Sequence, residues 1–250
     1  ALEESGLTDV DLVVVASTTT TEHSPNTAGR ISQRLGFTAP AIMDVNTACS
    51  GFEYAVGVAD QAIRAGSAST ALVIGADKLS AVTDWTDRRT CILVADGAGA
   101  VVLTAAETPG ITPTIWGSVP QMADAVTIDG DPTTFSQDGR QVMRWAFTEA
   151  AKQAQRVLEA AELSMDDIDV LAFHQANLRL IEPLAKALGA REDQVVLQDI
   201  VESGNTSAGS VPLALSKYWH RGELPRGGRA LLLGFGGGFT YAGQVVTLPA

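Results

Sequence analysis

Two parts of the 250-residue chain repeat one another at a nearly fixed separation, and this spacing limits the available folds more than any other feature. Thr8-Asp9-Val10-Asp11-Leu12-Val13 resembles Asp166-Asp167-Ile168-Asp169-Val170-Leu171, and each is followed by a helical stretch ending Leu35-Gly36 or Leu188-Gly189. Ala71-Leu72-Val73-Ile74-Gly75 returns as Ala230-Leu231-Leu232-Leu233-Gly234. Matched positions lie 158 (Asp9 and Asp167), 153 (Gly36 and Gly189) and 159 residues apart (Gly75 and Gly234), a constancy that points to a duplicated α/β unit.

Apolar runs at Asp11–Ser17, Ile42–Val45, Ala71–Ile74, Asp169–Phe173, Val195–Leu197 and Ala230–Leu233 read as buried strands. Amphipathic stretches at Thr27–Leu35, Gly51–Arg64, Arg140–Leu163, Leu178–Leu188 and Ser207–His220 alternate with them, which is the pattern of a layered α/β fold. Gly36, Gly66 and Gly189 stand where helix C-caps are expected. The duplication divides the chain into halves 1–106 and 107–250. The second half opens with a strand near Ile111–Trp116 and the long helix Arg140–Leu163, whose counterparts would precede residue 1. The first half is thus expected to lack about 45 residues or more of its unit.

Composition narrows the function. With 46% hydrophobic and 18% charged residues and a mean hydropathy of +0.13, the chain can bury a sizeable core. No apolar run approaches the ~18 residues of a spanning helix, and the first residues do not read as a signal peptide. Seventeen basic against 29 acidic residues give a net charge of -12, the wrong sign for a phosphate-backbone binder, so neither nucleic acid nor a membrane is an expected partner. Two cysteines and three scattered histidines supply neither a disulfide framework nor a zinc site, and a reducing cytoplasm is the simplest location.

Asp44-Val45-Asn46-Thr47-Ala48-Cys49-Ser50-Gly51-Phe52 sets Cys49 at a strand-to-helix turn, where a helix N-terminus is expected to lower a thiol pKa and offer amides to a developing anion. A buried structural cysteine would read the same locally. Cys91, inside Cys91-Ile92-Leu93-Val94, reads as core. His174 follows a strand at its carboxyl end, where α/β sheets place ligand sites. His220 suits a helix end, and His23 a polar loop. Asn205 or Thr206 can serve as an N-cap for Ser207–His220. Gly234-Phe235-Gly236-Gly237-Gly238-Phe239 makes either a tight hairpin or an amide cradle. It is no P-loop, and Asp96-Gly97-Ala98-Gly99-Ala100 is no dinucleotide fingerprint.

Together, Thr47-Ala48-Cys49-Ser50-Gly51-Phe52, His174-Gln175-Ala176-Asn177-Leu178-Arg179, Gly204-Asn205-Thr206-Ser207-Ala208-Gly209-Ser210-Val211-Pro212 and Gly234-Phe235-Gly236-Gly237-Gly238-Phe239-Thr240 resemble the β-ketoacyl-acyl-carrier-protein synthase III family in order and spacing. The resemblance extends to Asp84-Trp85-Thr86-Asp87-Arg88 and covers the whole chain. It implies a thiolase-like fold, two similar α/β halves in a five-layered α-β-α-β-α arrangement, with the N-terminal part of the first half missing.

The resemblance further implies a Cys49, His174 and Asn205 constellation that starts fatty-acid or polyketide synthesis. Cys49 would take an acyl group from a short acyl-CoA, and His174 and Asn205 would stabilise the enolate left when malonyl-acyl-carrier protein loses CO₂. The backbone amides of Cys49 and Gly237 would form an oxyanion hole. Arg88 and Asn177 match CoA-contacting positions, Arg144 and Arg179 carrier-protein positions, and Gln137 the acyl pocket within 121–137. Arg140 is a further candidate for a local basic patch, which an acidic carrier would need against a net charge of -12. The implied enzyme is a homodimer that uses CoA and phosphopantetheine thioesters as substrates and no cofactor or metal. The loop Thr18–Pro25 is expected to reach the dimer partner. Two other functions fit the same residues, a non-elongating acyltransferase and a silent carrier-binding partner of an active homologue. A papain-like protease does not fit the neighbouring motifs.

Overall fold

The computed structural model describes residues 1–250. In chain order the elements are α1 (Leu2–Ser5), β1 (Leu12–Ala16), α2 (Thr27–Leu35), β2 (Ala41–Val45), α3 (Gly51–Arg64), β3 (Thr70–Lys78) and β4 (Asp96–Thr104). The second half continues with β5 (Ile115–Ser118), β6 (Val126–Asp129), β7 (Thr134–Gln137), α4 (Gly139–Trp145), α5 (Ala151–Ala160), β8 (Val170–Phe173) and α6 (Leu178–Ala187). It ends with β9 (Val195–Val196), α7 (Ile200–Ser203), α8 (Ser210–His220), β10 (Arg229–Gly236) and β11 (Thr240–Thr247).

The repeat in the sequence is a repeat in space. One sheet runs β2-β1-β3-β4 and the other β5-β11-β10-β8-β9, so β9-β8-β10-β11 reproduces the first order strand for strand. In each, the first three strands are parallel and the last is antiparallel. The central strands β1 and β8 are wholly buried, as parallel strands covered on both faces must be, which is why they read as unbroken apolar runs. Helices α3 and α8 lie between the sheets: α3 packs on β1 and β3 of one and β10 and β11 of the other, and α8 on β3, β4 and β8. With α2 outside the first sheet and α5 outside the second, the layers run α-β-α-β-α, a thiolase-like fold. Gly36, Gly66 and Gly189 all have φ above +70°, as the C-cap reading requires.

Three sequence expectations need correction, and one segment gains an element that the sequence reading did not supply. The helix foreseen over Arg140–Leu163 is α4 and α5 joined by one π turn, Ala146–Ala150. The strand foreseen near Ile111–Trp116 begins only at Ile115, because Pro113 cannot join a ladder, and Ile111 makes a single bridge to Val246. Residues 121–137, read only as a pocket-shaping segment, contain the hairpin β6–β7. Cys91–Val94 is not core. Asp87 O accepts from the N–H groups of Thr90 and Cys91, which curls the run into turns, leaves Cys91 half-buried and turns Ile92 out to solvent.

Edges distinguish the two halves. The edge strand β2 exposes Ile42 and Met43. On the far side β4 has no outer neighbour, whereas β11 has β5. Beside β4 runs an apolar groove of about 650 Å³ lined by Phe52, Val56, Trp219, Leu232 and Val246.

Candidate active site

The strands carry the motifs to one place. After β2 the chain makes a 3₁₀ turn, Ala48–Ser50, that leads into α3, with Cys49 in the middle. After β8 comes His174, and after β10 the glycine run, since β8 and β10 are parallel neighbours and end at the same edge. A cavity of about 310 Å³ is lined by Cys49, His174, Asn205, Gly237 and Gln137, with Thr18 and the β6–β7 hairpin completing its wall. The sequence-derived trio therefore shares one cavity, although its members are 125 and 31 residues apart in sequence.

Each side chain is held in a definite orientation. Asn205 does not cap α8, whose N-cap is Gly209. Its Oδ1 accepts from Ser207 N at 2.9 Å, which leaves the amide NH₂ for the cavity. Its backbone pairs with the turned run, donating to Leu93 O at 3.2 Å and accepting from Ala95 N at 2.8 Å. His174 is buried, and its Nδ1 lies 2.8 Å from Ser210 Oγ, so Nε2 is the nitrogen left without a protein partner. Ser210 Oγ also accepts from Gln175 N at 3.3 Å, which frees its own hydrogen for Nδ1. The Cys49 sulfur lies 3.5 Å from Ser207 Oγ. A Cβ on Gly236 would stand 2.8 Å from that sulfur, so the close approach of β10 requires glycine there.

Backbone strain is concentrated around the cavity. Of four non-glycine residues with positive φ, Ala48 (48°), Ser207 (51°) and Phe239 (31°) flank or contact the Cys49 turn, the Asn205 turn and the glycine run. Asp77 helps to hold this arrangement. Buried at the end of β3, its Oδ1 accepts from the N–H and hydroxyl groups of Thr18 and Thr19, and its Oδ2 from Ala208 N at 3.1 Å. It thus ties the loop after β1 to the turn beside Cys49. Sequence reading missed Asp77, Ser207 and Ser210, although the last two stood in the motif quoted around Asn205.

The electrostatics depart from the local reading of Cys49. Burial pushes its thiol up to about 11, and the negative charge of Asp77, with that of Glu53 when ionised, adds to the rise. The Ser207 hydroxyl and the Gly237 N–H oppose it without reversing it. Desolvation therefore sets the direction of the shift, opposite to the lowering that the sequence suggested for a thiol at a helix start. Burial also drives His174 down to about 3, so the ring is neutral. The two rest as thiol and imidazole.

The remaining sequence candidates sit elsewhere. Asn177 Oδ1 caps α6 through Arg179 N at 2.9 Å. Arg88, Arg140, Arg144 and Arg179 are exposed, and none is in an ion pair. His220 ends α8, with Nδ1 2.7 Å from Ser216 O, and His23 is exposed. No group of three His, Cys, Asp or Glu residues is arranged to hold a metal ion. No helix is long and apolar enough to cross a membrane.

Residues 43–120 match the family described as 3-Oxoacyl-[acyl-carrier-protein (ACP)] synthase III, and residues 158–248 match its C-terminal part. The β-ketoacyl-[acyl-carrier-protein] synthase III 4 of Streptomyces coelicolor is 56% identical over 254 residues, covering 100% of this chain and 80% of that protein. The chain belongs to the 3-oxoacyl-[acyl-carrier-protein] synthase III family. It is accordingly an acyltransferase of the condensing type. Among solved structures, the synthase III of Pseudomonas aeruginosa PAO1 superposes with a TM-score of 0.95 at 36% identity, covering 100% of this chain and 80% of that one. The priming β-ketosynthase of the R1128 polyketide pathway gives 0.96 at 35%, covering 100% and 78%.

Proposed function

We propose that this synthase joins a short acyl starter, delivered as acyl-CoA, to malonyl-acyl-carrier protein by decarboxylative Claisen condensation, with Cys49 as the acyl acceptor. The observation that carries the reading is that Cys49, His174 and Asn205 line one cavity, with the His174 Nε2 and the Asn205 amide NH₂ left without protein partners. In the first half-reaction the Cys49 sulfur attacks the acyl-CoA carbonyl. The C–S bond to CoA breaks, and the thiol proton ends on the CoA sulfur, so no net proton is needed. The high thiol pKa leaves little thiolate at rest, but that thiolate is correspondingly nucleophilic.

In the second half-reaction the malonyl group loses CO₂, and charge builds on its thioester oxygen. A neutral His174 donating from Nε2 and the Asn205 amide suit that oxygen, and a low imidazole pKa fits a donor better than a base. The carbanion then attacks the acyl-Cys49 carbonyl, whose oxygen faces the Cys49 and Gly237 amides. Collapse expels the Cys49 thiolate, which regains a proton from water. The β6–β7 hairpin and Gln137 would bound the acyl group.

Arg144 and Arg179 would meet the acidic carrier with Arg140 beside them, and Arg88 with Asn177 the CoA nucleotide. That these arginines are free of ion pairs supports a role in docking, because their charge is not already neutralised. The uncovered edge of β2, with Ile42 and Met43 exposed, suits pairing with a second copy into a homodimer. The halves 1–106 and 107–250 would then each contribute to every site, in a cytoplasmic enzyme with no cofactor. Intact-protein mass spectrometry with a panel of acyl-CoAs tests the reading. An acyl adduct is expected on the native chain and none on Cys49→Ala, and malonyl-carrier protein should then discharge it as a 3-ketoacyl product with CO₂. An adduct retained on Cys49→Ala, or no product, would overturn it.

A further inference from the structure

One buried acid has no part in the chemistry above. Glu53, in the first turn of α3, is 0% exposed, and neither carboxyl oxygen has a hydrogen-bond partner. It is packed against β10, where a Cβ at Gly234 would stand 2.2 Å from Glu53 Oε2 and 2.8 Å from Ser50 Cα. The carboxyl thus lies beside the residue that follows Cys49. Across the same sheet face Gln244, also 0% exposed, donates its Nε2 to Glu53 O at 3.3 Å, and its Oε1 has no partner either.

A carboxylate and an amide oxygen only accept, and Gln244 Nε2 is turned to Glu53 O, so an ionised Glu53 leaves its two carboxyl oxygens and Gln244 Oε1 without a donor. A proton on the carboxyl supplies one. An unpaired carboxylate this deep would be costly, and its charge would cancel the positive end of α3 at Cys49.

We infer that Glu53 is a positioning residue kept as the neutral acid, and that losing its proton acts as a brake on the Cys49 nucleophile. The inference deepens the reading of Cys49 given above. Burial raises the Glu53 carboxyl to about 8, which puts the brake just above neutral pH. The titratable or charged groups on elements packed against α3 are Asp44 on β2, Asp77 and Lys78 on β3, Asp96 on β4, Arg229 on β10, Tyr241 on β11, and Cys49 in the preceding turn. On α3 itself they are Tyr54, Asp60 and Arg64, the last two paired with each other. None of them shifts the Glu53 titration, whereas the Glu53 charge does reach Cys49.

Alkylation of Cys49 by iodoacetamide, resolved from Cys91 by peptide mass spectrometry and followed from about pH 6 to about pH 10, tests this in the native chain and in Glu53→Gln. Equal rates, within about twofold, are expected near pH 6.5, where both side chains are neutral. Near pH 9.5 the Gln variant should react at least about threefold faster, since relief of the Glu53 charge raises the thiolate fraction more than it lowers thiolate nucleophilicity. Superimposable profiles, or one constant ratio at every pH, would overturn the inference. Should Glu53→Gln not fold, the infrared spectrum of the native chain decides. A carboxylic-acid carbonyl band that survives at about pH 7 and vanishes on unfolding is expected, and its absence overturns the inference. Failure of the underlying reading is separate, because acyl-CoA would then label Cys49→Ala while the alkylation comparison still reported on Glu53.

Discussion

Replacing Ser210 with Ala removes the single side-chain hydrogen bond of the His174 ring, 2.8 Å long and buried. The substitution leaves Nδ1 and the Gln175 N–H without that hydroxyl, a stability cost of about 1–3 kcal/mol. The catalytic effect is more specific. The Ser210 hydrogen occupies Nδ1 and so keeps the proton on Nε2, where the proposed enolate contact needs a donor. Full loss of one such donor costs about 2.7–4 kcal/mol, or ~10²–10³ in rate. A ring that keeps its place but not a fixed tautomer should lose less, about 10–100-fold. Acylation of Cys49 uses no His174 donor in this scheme and should change by less than about threefold. Single-turnover acylation from acyl-CoA and CO₂ release from malonyl-carrier protein, measured on the same folded variant, separate the two. Equal losses in both steps, or none in CO₂ release, would refute the assignment of His174 as a donor fixed by Ser210.

The pH dependence of stability gives another test. His174 titrates at about 3 in the folded chain against 6.5 unfolded, so between those values the unfolded state binds more protons. The full contribution is present above pH 6.5 and is lost as pH falls, roughly 2–3 kcal/mol by about pH 4.5. The raised Glu53 titration has the opposite sign, but it is common to both chains when native protein is compared with His174→Gln. Urea unfolding near pH 7 and near pH 4.5 should show a shallower loss in the variant, and equal loss would contradict a buried neutral ring. Gly236→Ala puts a methyl 2.6 Å from Cys49 Cβ, so acylation should fall at least about 100-fold, and wild-type acylation rates would remove the steric argument. Arg144→Glu with Arg179→Glu should raise the KM for malonyl-carrier protein about tenfold or more while leaving that for acyl-CoA within about twofold, measured by steady-state kinetics at low salt. Equal effects on both substrates would remove the docking role.

Periodicity and the internal repeat were enough to reach the layered fold, because alternation of strand and helix and burial of β1, β8 and β10 are written in neighbouring residues. Thr27–Leu35 and Gly51–Arg64 are helices with the bounds read from sequence. The same local logic failed at Cys91–Val94, where apolar composition suggested core but Asp87 bends the run outward to hold Asn205. The trio Cys49, His174 and Asn205 was legible only through its motifs and their order, since no local rule joins residues 125 positions apart.

What the chain determined by itself was where each strand ends and which reactive side chain follows it. Tertiary structure alone decided the charge state of those side chains. The thiol at a helix start was expected to be acidic, yet burial against Gly236 and the second sheet drives it the other way. Asp77, Ser210 and Glu53 gain their roles from groups brought in from 58 or more, 36 and 191 residues away. The physical reason is that backbone propensity acts between neighbours in sequence, whereas desolvation and Coulomb energy depend on whatever the fold packs around a group.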